Sequence, residues 1–155
     1  MKKLLYVSFF MVANCLFPVH ASTSFHSDMK KNVIIKMTIN QQIFDVELAN
    51  NPAAKEFAEQ LPLTLSMEEL NGNEKFAELP RSLSAREVRP GTINQGDLML
   101  YGRRTLVLFY ETFQTSYGYT PVGRIIAKEE LSKIARLQRV EVTFSADNGV
   151  RGPMM

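Results

Sequence analysis

Few side chains in this 155-residue sequence have the chemistry for catalysis, and their spacing narrows the choice further. There is one Cys (Cys15), and there are two His (His20 and His26) and no Trp. A metal site needs three or four N, S or O ligands, and a nucleophilic triad needs a His to take up the proton. Thr64, Ser66 and Ser116 have no such partner, His26 stands alone in a polar stretch, and neither a metal site nor a cofactor is expected. Glu68-Glu69 and Glu129-Glu130 are adjacent pairs that point to different faces, so neither makes an acid–base couple across a cleft, and both read as surface charge. The glycines at Gly91 and Gly96 punctuate turns and build no phosphate loop. What remains is one arginine near aromatic rings. Arg81 follows Phe76 and Leu79, while Tyr101, Phe109, Tyr110, Phe113, Tyr117 and Tyr119 can supply a wall. A guanidinium aimed at a group held against such a wall would be a preorganised donor, the type of arrangement that contributes most to many catalysed steps. Arg81 is therefore the single catalytic candidate, and Phe76, Tyr101, Phe109, Phe113, Tyr117 and Tyr119 are the ligand-binding candidates. Tyr110 reads as a core or wall residue.

Length and charge bound the class. One domain of this size buries roughly 70% of its unfolded surface, enough to fold without disulfides or metal. Basic and acidic side chains number 18 and 16. Lys2-Lys3, followed by an apolar run from Leu4 to Phe17 and by Val19-His20-Ala21, has the layout of a signal peptide cleaved before Ser22. The run is broken by Asn14 and Pro18 and falls short of the about 20 apolar residues that span a bilayer. Asn14 stands where a lipidation box takes Gly, Ala or Ser, which ranks a lipoprotein anchored at Cys15 below simple export. Loss of residues 1–21 removes two basic residues, no acid, and the only Cys, so the mature chain is neutral. A neutral chain lacks the clustered excess of Lys and Arg that nucleic acid demands. The expected product is periplasmic or secreted, with no transmembrane segment.

The elements that must position these side chains follow from periodicity. Residues 22–31 are polar and aperiodic and read as a flexible lead-in. Val33–Ile39 and Ile43–Leu48, parted by a short polar break, predict a hairpin with Phe44, Val46 and Leu48 on one face. Asn50-Asn51-Pro52 announces a helix with an Asn cap and Pro in its first turn, and Ala53, Ala54, Phe57, Ala58 and Leu61 form its apolar stripe, ended by Pro62. Leu63–Leu70 alternates, Asn71-Gly72 suits a turn with two left-handed residues, and Asn73–Leu79 is the return strand. Asp97–Tyr101 and Arg104–Tyr110 are expected to pair through a two-residue Gly102-Arg103 turn. Both strands are apolar on both faces, so one face fills a core and the other must be covered or form a binding surface. Glu111–Tyr119 reads as a polar-aromatic loop, Thr120–Ala127 as a strand, Lys128–Leu137 as a second helix and Val140–Phe144 as the last strand, before a turn-rich tail over 146–155. About eight short strands and two helices make an antiparallel sheet or barrel with helical caps over 32–145.

Several ordered stretches of the sequence together carry a likeness to a known family. They are Asn51-Pro52-Ala53-Ala54-Lys55 with Phe57-Ala58, Leu61-Pro62-Leu63-Thr64-Leu65, Leu70-Asn71-Gly72-Asn73-Glu74-Lys75 and Gly91-Thr92-Ile93. Further on come Gly96-Asp97-Leu98-Met99-Leu100-Tyr101-Gly102, Leu106-Val107-Leu108-Phe109-Tyr110 and Tyr119-Thr120-Pro121-Val122-Gly123-Arg124-Ile125. Together these stretches resemble the bacterial cyclophilin-like family, and the resemblance implies a mainly β protein, a closed eight-stranded barrel capped by two helices. It carries over no catalytic residue, because the Phe-His-Arg, Ile-Pro and Gln-Gly-Gly signature of the prolyl isomerases is absent, as are the Trp and His of their pocket. Three readings stay open. The first is an exported, non-catalytic barrel that binds a peptide or small molecule through an aromatic groove. The second is a divergent peptidyl-prolyl cis-trans isomerase for exported proteins, with Arg81 as donor. The third is an interaction domain whose apolar strand face docks a protein partner.

Overall fold

A computed structural model describes residues 31–129, 131–134 and 137–148. The expected signal peptide, Cys15, both histidines, nearly all of the lead-in and most of the tail lie outside the described residues. The strands are β1 (Ile34–Ile39), β2 (Gln42–Leu48), β3 (Leu63–Leu70), β4 (Glu74–Glu78), β5 (Thr92–Ile93), β6 (Asp97–Tyr101), β7 (Thr105–Phe109), β8 (Phe113–Gln114), β9 (Thr120–Ile125) and β10 (Arg139–Ala146), with helices α1 (Pro52–Ala58) and α2 (Leu131–Ile134). Eight of the strands close a barrel in the order β1-β10-β3-β4-β7-β6-β9-β2, and β5 pairs with β8 in a separate ribbon. The mainly β, eight-stranded barrel implied by the resemblance is the fold observed.

Alternation explains how the barrel fills itself. Met37 and Ile39 from β1, Val46 from β2, Leu65 and Met67 from β3, and Phe144 from β10 share one core. The opposite residues of the β1–β2 hairpin reach solvent, as with Ile43 at 65% exposure. α1 joins the end of β2 to the start of β3 and covers that end of the barrel, with Phe57 edge-on to Phe144 at 5.2 Å between ring centroids. Its start is fixed as the residue types demand: Asn51 Oδ1 accepts from the Ala54 N–H at 2.8 Å, and the Asn51 amide donates to the Pro121 carbonyl of β9.

The opposite end is closed by a polar plug, which corrects the reading of Glu69 as surface charge. Strand alternation carries Leu65 and Met67 inward, and Glu69 follows them. Lys75, 1% exposed, donates to the Glu69 carboxylate and to the Leu137 carbonyl, with its ammonium 5.1 Å from the centre of the Tyr110 ring. The Tyr110 hydroxyl donates to Glu69 Oε1 at 2.6 Å, and the Gly72 N–H donates to the same oxygen at 2.7 Å. Burial works against the Glu69 charge, but Lys75 and Tyr110 outweigh it and hold the carboxyl below the usual range. Burial and the Glu69 carboxylate push the Tyr110 phenol up.

Turn chemistry decides the register. Asn71 and Gly72 both lie at positive φ (56° and 70°), as the dipeptide predicts, and the Asn73 N–H reaches back to the Leu70 carbonyl. The β6–β7 connection differs from expectation. Tyr101 pairs with Thr105, so the loop is Gly102–Arg104, three residues and not two. Arg104 leaves the strand because its backbone carbonyl and its Nε both serve Leu79, which ties the segment after β4 to this turn. α2 is also shorter than the expected 128–137. The described residues contain no helix long and apolar enough to cross a membrane.

Candidate functional site

The two-sided apolar character of β6 and β7 shapes the site. Leu98, Leu100, Leu106 and Leu108 point into the barrel. Met99, Val107 and Phe109 point out and build a second cluster with Ile93 and Tyr119, against which Phe76 and Phe113 pack. The stretch read as a polar-aromatic loop is what covers this face. Phe113 pairs with Ile93 in the β5–β8 ribbon, the Thr115 N–H donates to the Gly91 carbonyl, and Tyr119 exchanges both backbone hydrogen bonds with Val88. These pairings hold the 113–119 segment above the sheet at its edges. Between segment and sheet runs a cleft of about 540 Å³, within the range of small-ligand sites.

The cleft brings together five of the six aromatic candidates: Phe76, Tyr101, Phe113, Tyr117 and Tyr119. Phe76 and Val107, cross-strand partners on β4 and β7, form the floor. Tyr117, 64% exposed, and Phe113 stand on the covering segment. Phe109, the sixth candidate, is wholly buried behind the wall. Its ring lies 5.5 Å from Phe113 and 5.4 Å edge-on to Tyr119, which in turn lies 5.9 Å from Tyr101. A single run of rings, Tyr101–Tyr119–Phe109–Phe113, thus supports the wall.

Arg81 is placed elsewhere. It is exposed and lines a separate polar cleft of about 320 Å³ with Glu56, Glu59, Gln60 and Arg103. The structure therefore does not bring the catalytic candidate to the aromatic residues. In that polar cleft Glu56 accepts from the hydroxyl and the N–H of Ser84, which lower its pKa.

The cleft residue that sequence reasoning missed is Glu74. It begins β4, and alternation puts it on the outer face with Phe76, so it lines the aromatic cleft. It is only 8% exposed, and it is the one charged side chain among the described residues lining the cleft. Its cross-strand partner is Phe109. Burial raises its pKa, and the Glu69 carboxylate across the strand adds to the rise. Burial likewise pushes the Tyr119 phenol up, with Glu74 contributing. No cluster of His, Cys, Asp or Glu among the described residues has metal-holding geometry.

No curated protein matches the chain. Among solved structures it is similar to the hypothetical protein AF2241 from Archaeoglobus fulgidus, with a TM-score of 0.51 at 14% identity over 74% of this chain and 95% of that one. It is also similar to McbB, solved in complex with tryptophan, with a TM-score of 0.57 at 13% identity over 77% of this chain and 47% of that one. This chain therefore matches about half the length of McbB, and at such identities the likeness is one of fold. The family model described as the Cyclophilin-like family matches residues 37–145, from the middle of β1 into the last strand, and the chain belongs to that family.

Proposed function

We propose that this barrel is a binding domain that takes a peptide or small molecule in the aromatic cleft and performs no chemistry on it. The observation that carries the reading is the convergence of five aromatic candidates, four of them exposed or half-exposed and Tyr119 buried, on one cleft whose described lining holds no Arg, Lys or His. Twisting a prolyl amide means lowering a barrier of roughly 18–20 kcal/mol, which calls for a donor aimed at the imide group. Arg81, lining a different cleft, gives that alternative no geometric support. The interaction-domain reading is also less favoured, because the outer face of β6 and β7 is covered by the chain's own ribbon.

Exchange NMR with a panel of aromatic and Xaa-Pro peptides tests the reading. Uncatalysed cis/trans exchange takes tens to hundreds of seconds, so catalysis by sub-stoichiometric protein would appear as new exchange cross-peaks. Saturable shifts without such cross-peaks are expected, and Tyr117→Ala is expected to weaken binding about tenfold, as loss of one anchoring ring does. New cross-peaks would replace binding by isomerisation. Peptide signals unmoved by the protein would remove the cleft from consideration as a peptide site.

Action outside the cytoplasm belongs to the same proposal. It rests on Lys2-Lys3, the apolar run Leu4–Phe17 and the small residue Ala21 before Ser22. Edman sequencing of protein recovered from the periplasm or medium should begin at Ser22, and a start at Met1 in the cytosol would end that part of the proposal.

A further inference from the structure

The cleft has one feature that aromatic recognition alone does not require. Glu74 is more than nine-tenths buried, lines the cleft, and has no hydrogen-bond or ion-pair partner within the described chain. Burial works against its charge, so a cation entering the cleft would be favoured as its partner. The contrast with Glu69 is direct. Three residues of the chain, Lys75, Tyr110 and Gly72, satisfy Glu69, and none serves Glu74 on the other face of the sheet. Phe76, Tyr101, Phe113, Tyr117 and Tyr119 line the same cleft, and the face of an aromatic ring is negative. Ring faces and a carboxylate favour the same guest, a positive charge on an apolar body.

We propose that the cleft is an organic-ammonium site, in which Glu74 pairs with the ligand's amine while the rings enclose its apolar part. The proposal rests on the binding reading above and names the chemical class of the ligand. The same ammonium can come from a free aryl-alkyl amine or from a lysine side chain of a peptide, and the cleft's chemistry is common to both. An anionic ligand is disfavoured, since Glu74 meets no compensating cation among the described lining residues.

Two matched pairs of probes test it, read by NMR titration of the Tyr117 and Phe113 signals in the purified protein. One pair is 2-phenylethylammonium and neutral 2-phenylethanol. The other is acetyl-Lys-Phe-amide and acetyl-norleucine-Phe-amide. The charged member is expected to bind at least tenfold more tightly than the neutral one. In Glu74→Gln that preference is expected to fall below twofold while the neutral member binds as before, which shows the cleft intact. The pair with the larger preference identifies the source of the amine. Equal binding within each pair would overturn the ammonium assignment and leave the binding reading standing. A preference that survives in Glu74→Gln would overturn it as well. If neither pair moves the cleft signals the assignment fails, and the peptide panel then decides the binding reading separately.

Discussion

Glu69→Gln is expected to destabilise the protein by about 3–5 kcal/mol, the loss typical of removing one partner from a buried ion pair. The cause lies in what the substitution leaves behind. Lys75 is 1% exposed, and its ammonium would keep only the Leu137 carbonyl, the Tyr110 ring and its other contacts, with no counter-charge from Glu69. Urea unfolding of wild type and variant at neutral pH measures the loss. Replacing both partners, Glu69→Leu with Lys75→Met, should recover most of it, because a well-packed apolar pair of similar size often replaces a buried ion pair without cost. A double variant as unstable as the single one would show that the plug acts through shape and not through charge. Acid supplies a second reading. The Glu69 carboxyl is depressed in the folded state, so its contribution is complete above the ordinary value of 4.5 and is lost as pH falls through its lower folded value. The gap between wild type and Glu69→Gln should therefore be widest at neutral pH and narrow steadily below 4.5. Glu74 runs the other way: its raised pKa means that the folded state holds the proton more tightly, and its charge costs stability as pH rises past that value.

These two glutamates also show where sequence reasoning reached and where it stopped. Strands with clean alternation were legible nearly to the residue; Leu63–Leu70 is β3 as read, and Asp97–Tyr101 is β6. The Asn51-Pro52 cap and the Asn71-Gly72 turn follow from local backbone chemistry and needed no tertiary knowledge. The β5–β8 ribbon was not legible, because two residues per strand carry no period and only the pairing of Thr92 with Gln114 and Ile93 with Phe113 defines it. Glu69 was misplaced and Glu74 passed over for a different reason. A charged residue suggests solvent, yet alternation alone puts Glu69 in line with Leu65 and Met67, and Glu74 in line with Phe76. Trusting the period over the polarity would have found both. The aromatic candidates were easier, since a loop carrying Phe113, Tyr117 and Tyr119 beside strands apolar on both faces leaves the rings little else to cover. Arg81 failed to join them because closeness in sequence to Phe76 does not survive the turn of the chain after β4.

On the proposed binding reading Phe109 supports the cleft without lining it, and two substitutions there make that role measurable. The ring is wholly buried, sits opposite Glu74 across the β4–β7 pairing, and touches Phe113 on one side and Tyr119 on the other. Phe109→Ala should cost about 3–5 kcal/mol, the usual loss for emptying a buried phenylalanine site. That variant also unfastens the wall, so its loss of binding alone would prove little. Phe109→Leu is the sharper test. Leucine refills much of the volume, so the cost should be well below that of alanine and the protein should still fold. It cannot reproduce the two ring contacts, each worth about 0.5–1.5 kcal/mol beyond area burial. Phe113 and Tyr119 then lose the support that fixes their angle over the cleft. The expected result is a folded, cooperative protein whose affinity for the aromatic peptides falls several-fold although the substituted residue never meets them. Tyr117→Ala should behave in the opposite manner, with stability little changed because Tyr117 is largely exposed, and affinity reduced. If Phe109→Leu bound as the wild type does, the wall would hold its shape without the ring run, and Phe109 would be core and nothing more.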